Sequence, residues 1–164
     1  MMVKFKKGGT GLLLALLFVM LLPAKAIADD EYKVVYHADF ADPARFSAMI
    51  QNIFNMTTTY ENEMMDYDIR IVFLSKGIRF VTTDNLKGTP FEADKEFQKG
   101  RGDIHKRLKS LREIRGVKFE LCNLTRQAVN LGEDKLIPGI KMVTSGVVQI
   151  AKLQREGFSY LKVE

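Results

Sequence analysis

Short apolar runs alternate with segments of helical periodicity from Tyr32 to the end of the chain. The runs are rich in β-branched and aromatic residues, a composition that predicts strands. Five strands are predicted, within Tyr32–Asp39, Tyr67–Ser75, Val117–Cys122, Pro138–Gly146 and Phe158–Val163. Because strands and helices alternate along the chain, we predict an α/β domain built on a mostly parallel sheet.

Polar caps and glycines mark the two longer helices. Asp42 followed by Pro43 predicts the start of the first helix, because a capping side chain followed by proline is typical of a helix N-terminus. Its predicted buried stripe consists of Phe46, Met49, Ile50, Ile53, Phe54, Thr57 and Tyr60. The second helix is predicted to begin at a cap on Asp103 and to end at Gly116. Its predicted stripe consists of Ile104, Leu108, Leu111 and Ile114.

Two shorter helices complete the predicted pattern. One follows Cys122 and ends near Gly132, and the other is capped by Ser145 and runs to Gly157. The segment 76–90 is predicted to be a loop that contains at most a short helix.

The first 28 residues have the order of regions found in a secretory signal peptide. A basic start precedes an apolar run of 11 residues, Leu12 to Leu22, and small residues follow at Ala24, Ala26 and Ala28. A membrane-spanning helix needs about 20 apolar residues, so this run is too short to be one. We therefore expect cleavage after Ala26 or Ala28, export to the periplasm, and no stable membrane span afterwards.

Removal of this segment changes the charge of the chain. The full sequence has 25 Lys and Arg against 20 Asp and Glu. Residues 1–28 contain four of the basic residues and no acid, so 21 basic and 20 acidic residues remain, a net charge of +1. Residues 29–164, which we expect to form one domain, therefore give no electrostatic reason to expect nucleic acid as a partner.

The only cysteine, Cys122, ends the third predicted strand and directly precedes a predicted helix. A single cysteine excludes an internal disulfide, so packing must hold the fold together. A thiol just before a helix N-terminus meets unpaired N–H groups and the positive end of the helix dipole, which stabilise the reactive thiolate. Asn123 and Thr125 carry capping oxygens for this turn and Arg126 lies within it, so these three are candidate ligand-binding residues.

The position of Cys122 leaves two interpretations open. Free cysteines are among the most buried residue types, so a packed core cysteine is the alternative to a reactive thiol. His37, at the end of the first strand, is the candidate for proton transfer, because ligands gather at this edge of parallel sheets. No nucleophile motif such as G-x-S-x-G is present, which argues against a Cys–His hydrolase. Cys122, His37 and His105 lack the usual spacing of metal ligands, and we expect no metal and no cofactor.

Three segments carry a family resemblance: VYHAD in the first strand, GVKFELCNLT at Gly116–Thr125, and LIPGIKMVTSGVVQIAKLQREGFSYLKV at Leu136–Val163. Together they resemble the DsrE/DsrF-like family of sulfur-transfer proteins over nearly all of residues 29–164. The resemblance implies a compact three-layer α/β/α domain with a five-stranded sheet, usually in an oligomer. It also implies that the cysteine at the end of the third strand, here Cys122, accepts sulfane sulfur as a persulfide.

The resemblance leads to a functional hypothesis with one alternative. We expect a periplasmic sulfur carrier or sulfurtransferase-like protein that forms a homo-oligomer and exchanges sulfur with donor and acceptor proteins or small sulfur compounds. The alternative is a non-catalytic oligomeric module that binds a small ligand or a protein and has a structural cysteine. Two features depart from the relay proteins of the family: the predicted export and a longer spacing from Cys122 to Gly132. The sequence leaves open whether the protein is an enzyme.

Overall fold

The computed structural model describes residues 1, 2, 4 and 31–164. Both predicted cleavage sites and almost all of the predicted signal peptide lie outside the described residues. Within the described residues, no helix has both the length and the apolar character needed to cross a membrane.

Five strands form a single sheet in which every recorded pairing is parallel. They are β1 (Tyr32–Ala38), β2 (Tyr67–Phe73), β3 (Lys118–Cys122), β4 (Ile140–Val143) and β5 (Ser159–Leu161). Their spatial order is β4-β3-β2-β1-β5. The predicted α/β fold with a five-stranded, mostly parallel sheet is therefore confirmed.

Helices cover both faces of this sheet. They are α1 (Pro43–Asn62), α2 (Lys95–Arg115), α3 (Asn123–Ala128) and α4 (Gly146–Arg155), with 3₁₀ helices at Ser75–Phe80 and Glu133–Lys135. Alternate side chains of a strand point to opposite faces. Val34 and Tyr36 join the core beneath α1 and α2, whereas Val35 between them packs against Ile150 of α4. The result is the three-layer α/β/α arrangement.

The start of α1 agrees with the prediction and the start of α2 does not. The Asp42 side chain accepts the Ala44 N–H at 2.8 Å and caps α1. The helix α2 is capped by Asp94, nine residues before the predicted cap, and Asp103 lies inside it. A glycine inside a helix costs about 1 kcal/mol relative to alanine. Gly100 and Gly102 therefore favoured a predicted helix start after them, at Asp103. Burial of Phe97 (3% exposed) in the core compensates for this cost.

Two residues of the predicted stripes are exposed instead. Phe54 of α1 is 41% exposed and lies against the Arg115 guanidinium, 4.6 Å from its ring centroid. Ile114 of α2 is 71% exposed. Both lie at the border of the apolar stripe, where the helical periodicity continues beyond the contact with the neighbouring helix. The predicted end of α2 is confirmed, because Gly116 closes it in the left-handed conformation with φ 64°.

Charged side chains occupy the α4 side of the sheet where β2 and β3 begin. The Arg70 guanidinium donates to Asp68 at 2.7 Å and to Glu120 at 3.3 Å, and it lies 4.8 Å from the centroid of the Phe158 ring. Lys118 and Lys141 reach the same two carboxylates. These pairs neutralise Asp68 and Glu120, both of which are buried.

Candidate functional site

Cys122 lies where β3 ends and α3 begins. It pairs with Val143 as the last residue of the β3–β4 ladder and is also the N-cap of α3, with φ −61° and ψ 113°. It is 5% exposed. Because β3 and β4 are adjacent and parallel, the helices that follow them, α3 and α4, begin at the same edge of the sheet. The thiol therefore lies between two helix N-termini.

Donors from both helices surround the sulfur. Burial, the largest single influence, raises the pKa of the Cys122 thiol. Hydrogen bonds from the Gly146 N–H, from the Thr125 hydroxyl and N–H, and from the Leu124 N–H outweigh burial and lower this pKa below its usual value. N–H groups at a helix N-terminus have no partner within the helix, so they are available to an anion. The arrangement favours a thiolate at Cys122.

The first residue of α4 touches the cysteine closely because it is a glycine. A Cβ atom on Gly146 would lie 3.1 Å from the Cβ atoms of both Cys122 and Leu74, closer than side chains normally pack. The absence of a side chain lets the N-terminus of α4 approach the thiol. The sequence predicts the α4 cap at Ser145, as observed, but indicates no role for Gly146. The signal that it matters is its place directly after the strand next to the cysteine.

Thr125 links the cysteine to the end of β2. Its Oγ1 accepts the Ser75 N–H at 3.0 Å, so its hydroxyl hydrogen remains available to the sulfur. Ser75 has φ 50°, a left-handed conformation that residues other than glycine adopt rarely. Through this strained turn the end of β2 joins the ends of β3 and β4 at the site. Sequence reasoning identified Thr125 and missed Ser75, because nothing in the local sequence indicates a positive φ there.

Asn123 and Arg126 bond to each other. Arg126 Nε donates to Asn123 Oδ1 at 2.9 Å, and Arg126 Nη1 donates to the Leu131 carbonyl at 2.6 Å. Arg126 also approaches Glu133 at 3.7 Å. These bonds occupy both side chains in holding α3 against the loop that follows it. Of the three predicted ligand-binding residues, Thr125 is the one whose side chain acts to lower the pKa of the thiol.

The structure does not bring His37 and Cys122 together. In the strand register His37 is level with Val72 and Glu120. It therefore lies two strands away from Cys122 and two residues nearer the amino ends of the strands. That corresponds to about 10 Å across the sheet and about 7 Å along it. His37 Nδ1 instead lies 2.8 Å from the Tyr160 hydroxyl, and Nε2 lies 3.6 Å from Asp39. Burial lowers the pKa of His37, an effect that the charge of Asp39 only partly opposes.

Exposed apolar side chains stand next to the thiol. Leu124 in the first turn of α3 is 58% exposed, and Val147 and Val148 in the first turn of α4 are 61% and 50% exposed. Leu124 is itself one of the residues whose N–H reaches the sulfur, and Val147 directly follows another, Gly146. Among the residues that the structure describes, no group of three or more His, Cys, Asp or Glu side chains is placed to hold a metal ion.

Comparison with known proteins identifies the family. A family model described as the DsrE/DsrF-like family matches residues 34–163. Among solved structures, a protein of unknown function from Methanobacterium thermoautotrophicum, MTH1491, is 27% identical with a TM-score of 0.62, over 80% of this chain and 99% of its own. The ychN protein from E. coli is 17% identical with a TM-score of 0.49, over 80% of this chain and 98% of its own. No curated protein matches the chain significantly. The family match extends over most of the chain, from β1 to the residues just after β5, and this chain therefore belongs to the DsrE/DsrF-like family.

Proposed function

We propose that this protein is a periplasmic sulfur carrier that accepts sulfane sulfur on Cys122. Membership in the DsrE/DsrF-like family is consistent with a general role in sulfur relay. The observation that carries the specific proposal is the position of Cys122 between the N-termini of α3 and α4. The signal-peptide pattern in residues 1–28 supports the proposed compartment.

The proposed reaction is a transfer of neutral sulfur that needs no external oxidant. The Cys122 thiolate attacks the outer sulfur of a persulfide or polysulfide donor. A sulfur–sulfur bond forms to Cys122 while the sulfur–sulfur bond of the donor breaks. The donor leaves as a thiolate, or as a polysulfide shorter by one sulfur atom, and takes up a proton. In the second step an acceptor thiolate attacks the outer sulfur of the Cys122 persulfide. This step releases the Cys122 thiolate and completes the cycle.

The residues around Cys122 stabilise the negative charge of its sulfur in both steps of this cycle. The N–H groups of Gly146, Leu124 and Thr125 stabilise the attacking thiolate and the thiolate that leaves in the second step. The sequence holds no second cysteine, so the persulfide has no internal thiol that could reduce it. The sulfur must pass to another molecule, as a carrier requires.

We also propose that the protein self-associates. The apolar side chains of Leu124, Val147 and Val148 are half exposed or more beside the buried thiol. Burial of such side chains between copies would remove apolar surface from water and shield the thiol from oxidation. Light scattering should give a mass larger than that of one chain, and a monomer at micromolar concentration would contradict this part of the proposal.

One observation favours the alternative function, a non-catalytic binding module with a structural cysteine. Cys122 is only 5% exposed, as a packed core residue would be. The two functions differ in whether the native thiol reacts. If a thiol reagent modifies Cys122 only after unfolding, the binding module is favoured.

The decisive experiment is mass spectrometry after exposure to polysulfide. The folded, reduced wild type should gain one sulfur atom, and Cys122→Ser should gain none. A second incubation with a small thiol should remove the added sulfur and return the original mass. An unmodified wild type, checked by circular dichroism to be folded, would refute the carrier proposal.

A further inference from the structure

A cavity of about 510 Å³ lies between α2 and the segment 136–138. Cys122 is not among its lining residues. The cavity is on the side of the sheet covered by α1 and α2, since Phe119 of β3 lines it and belongs to the core beneath those helices. Its size lies within the range of about 300–1,000 Å³ that is typical of small-molecule sites.

The inner wall of the cavity is apolar and held in place by backbone bonds. It consists of Phe119, which is 2% exposed, and the partly buried residues Leu136 and Ile137. The Ile137 N–H donates to the Val81 carbonyl at 2.9 Å, and the Thr83 N–H donates to the Lys135 carbonyl at 2.9 Å. These bonds fix the segment that forms the wall, so the cavity exists before any ligand binds.

The rim of the cavity, by contrast, is basic. Lys106, Lys109 and Arg112 of α2 line it together with one acid, Glu113, which leaves three positive charges against one negative, a net of +2. Glu113 already pairs with Arg112 at 2.7 Å and with Lys109 at 3.9 Å. Lys106 has no ion-pair partner among the described residues. Burial, with the charge of Arg101 adding to it, lowers the pKa of His105, the other titratable lining residue, so a positive charge on His105 is disfavoured.

We propose that this cavity binds a small organic carboxylate with a compact apolar body. The apolar body would contact Phe119, Leu136 and Ile137, and the carboxylate would lie at the rim near Lys106. An apolar wall with a few charged groups at its mouth is the usual construction of a site for such a ligand. Arg112 stabilises the mouth of the cavity, because its guanidinium crosses from α2 to donate to the Pro138 carbonyl.

The charge selectivity of the site is tested with three probes of the same shape. Isothermal titration calorimetry of the purified protein would compare 4-phenylbutyrate with 4-phenylbutanol and 4-phenylbutylamine. The acid should bind at least about tenfold more tightly than the alcohol, which corresponds to about 1.4 kcal/mol, and the amine should bind most weakly. Equal affinity for the acid and the alcohol, or no binding of the acid at millimolar concentration, would overturn the proposal.

The location is tested with two glycines of α2. Gly102 lines the cavity and Gly100 does not, and a Cβ atom on either would meet nothing within 4 Å. Gly102→Leu should fill the mouth of the cavity and abolish binding, whereas Gly100→Leu should leave the affinity within about twofold. Both changes replace a helical glycine with a better helix former, so neither is expected to unfold the protein. Retained binding in a folded Gly102→Leu protein would place the probe elsewhere and refute the site.

The role of the rim is tested by charge reversal at matched positions. Lys106→Glu combined with Lys109→Glu should weaken binding of 4-phenylbutyrate by at least about tenfold. Lys95→Glu combined with Lys99→Glu changes the net charge of α2 equally at positions outside the lining and should have little effect. An equal loss in both double variants would mean that general surface charge, and not the rim, attracts the acid. None of these measurements depends on Cys122, so their outcome is independent of the proposed sulfur transfer.

Discussion

The Ser75 N–H donates to Thr125 Oγ1 at 3.0 Å and so joins the end of β2 to the first turn of α3 beside Cys122. A hydroxyl oxygen that accepts a hydrogen bond still has its own hydrogen to donate. That hydrogen is available to the Cys122 sulfur, and the Thr125 hydroxyl acts to lower the pKa of the thiol. One side chain therefore fixes the turn after β2 and stabilises the thiolate at the end of β3.

Thr125→Val should raise the pKa of Cys122 and slow its reaction with thiol reagents at neutral pH. Valine keeps the shape of threonine but supplies no hydroxyl donor, and it leaves the Ser75 N–H without its acceptor. The rate of alkylation by iodoacetamide should follow a titration curve whose midpoint is shifted to higher pH than in the wild type. The loss of a bond to a partly buried backbone group should also cost about 1 kcal/mol of stability, measured by urea unfolding.

Thr125→Ser is the matched control, because serine retains the hydroxyl group. Its alkylation midpoint should stay near that of the wild type, with at most a small loss of stability from the missing methyl group. If Thr125→Val and Thr125→Ser gave the same midpoint, the hydroxyl would have no part in stabilising the thiolate.

Gly146→Ala should destabilise the protein by about 1–2 kcal/mol, although alanine is the better helix former. The new Cβ atom would lie 3.1 Å from the Cβ atoms of Cys122 and Leu74. Neither neighbour is the flexible end of a side chain, so α4 must move away and take the Gly146 N–H from the thiol. We therefore expect a higher pKa for Cys122 as well, measured from the pH dependence of alkylation.

Gly100→Ala provides the comparison for this change. Gly100 lies inside α2, and a Cβ atom at this position would meet nothing within 4 Å, so the same substitution should stabilise the protein by up to about 1 kcal/mol. If urea unfolding showed both alanine variants to be stabilised, the close contact between α4 and Cys122 would not be restrictive.

The sequence predicted the strands and helices that form this site better than the contacts around Cys122. The apolar runs were sufficient to locate all five strands, and the position of Cys122 after a strand and before a helix was sufficient to place it at the edge of the sheet. The second donor group was not predictable in this way, because Gly146 comes near Cys122 only through the order of β3 and β4 in the sheet. The early start of α2 was missed for a related reason, since burial of Phe97 outweighs the local effect of two glycines.

The position of His37 was predicted by the same reasoning, but the structure does not bring His37 to Cys122. The end of β1 is at the same edge of the sheet as the end of β3, and this relation was correctly predicted. The strand order inserts β2 between them, however, and the register leaves His37 two residues short of the level of Cys122. Its hydrogen-bond distance to Tyr160 depends on β5 pairing with β1, which the local sequence around His37 does not indicate.

Acidification from pH 7.5 to pH 5.5 should lower the free energy of unfolding. The pKa values of His37 and His105 are both below the ordinary value of 6.5, chiefly because of burial. The unfolded chain therefore binds more protons than the folded protein as the pH falls through 6.5, and protonation favours unfolding. Above that range both states are neutral at these residues and the effect is absent.

Urea unfolding in the Cys122→Ser background removes any contribution of the thiol to this pH dependence. The variant with both His37→Gln and His105→Gln should have a flatter dependence of stability on pH between 5.5 and 7.5 than its parent. An unchanged slope would mean that other groups account for the loss of stability in acid.

Arg70→Met should destabilise the protein by about 3 kcal/mol, because Arg70 is shared by two buried carboxylates. Asp68 and Glu120 are 6% and 1% exposed, and their remaining partners are the lysines Lys118 at 2.9 Å and Lys141 at 3.7 Å. Burial acts to raise the pKa of Asp68, but hydrogen bonds from Arg70 and Lys118 lower it overall. Without Arg70 this pKa should rise, so the stability that the Asp68 carboxylate contributes should be lost at a higher pH than in the wild type.

Glu120→Gln separates the effect of charge from that of shape in the same cluster. Glutamine fills the space of glutamate and leaves Arg70 paired with Asp68, so we expect a loss of only about 1 kcal/mol in urea unfolding. Arg70→Met removes the guanidinium partner of both Asp68 and Glu120. In the combined variant Arg70→Met with Glu120→Gln, one of these two side chains is already neutral. The loss should therefore be smaller than the sum of the two single losses. Additive losses would show that Arg70 stabilises the fold through Asp68 and Phe158 alone, and that its contact with Glu120 contributes nothing.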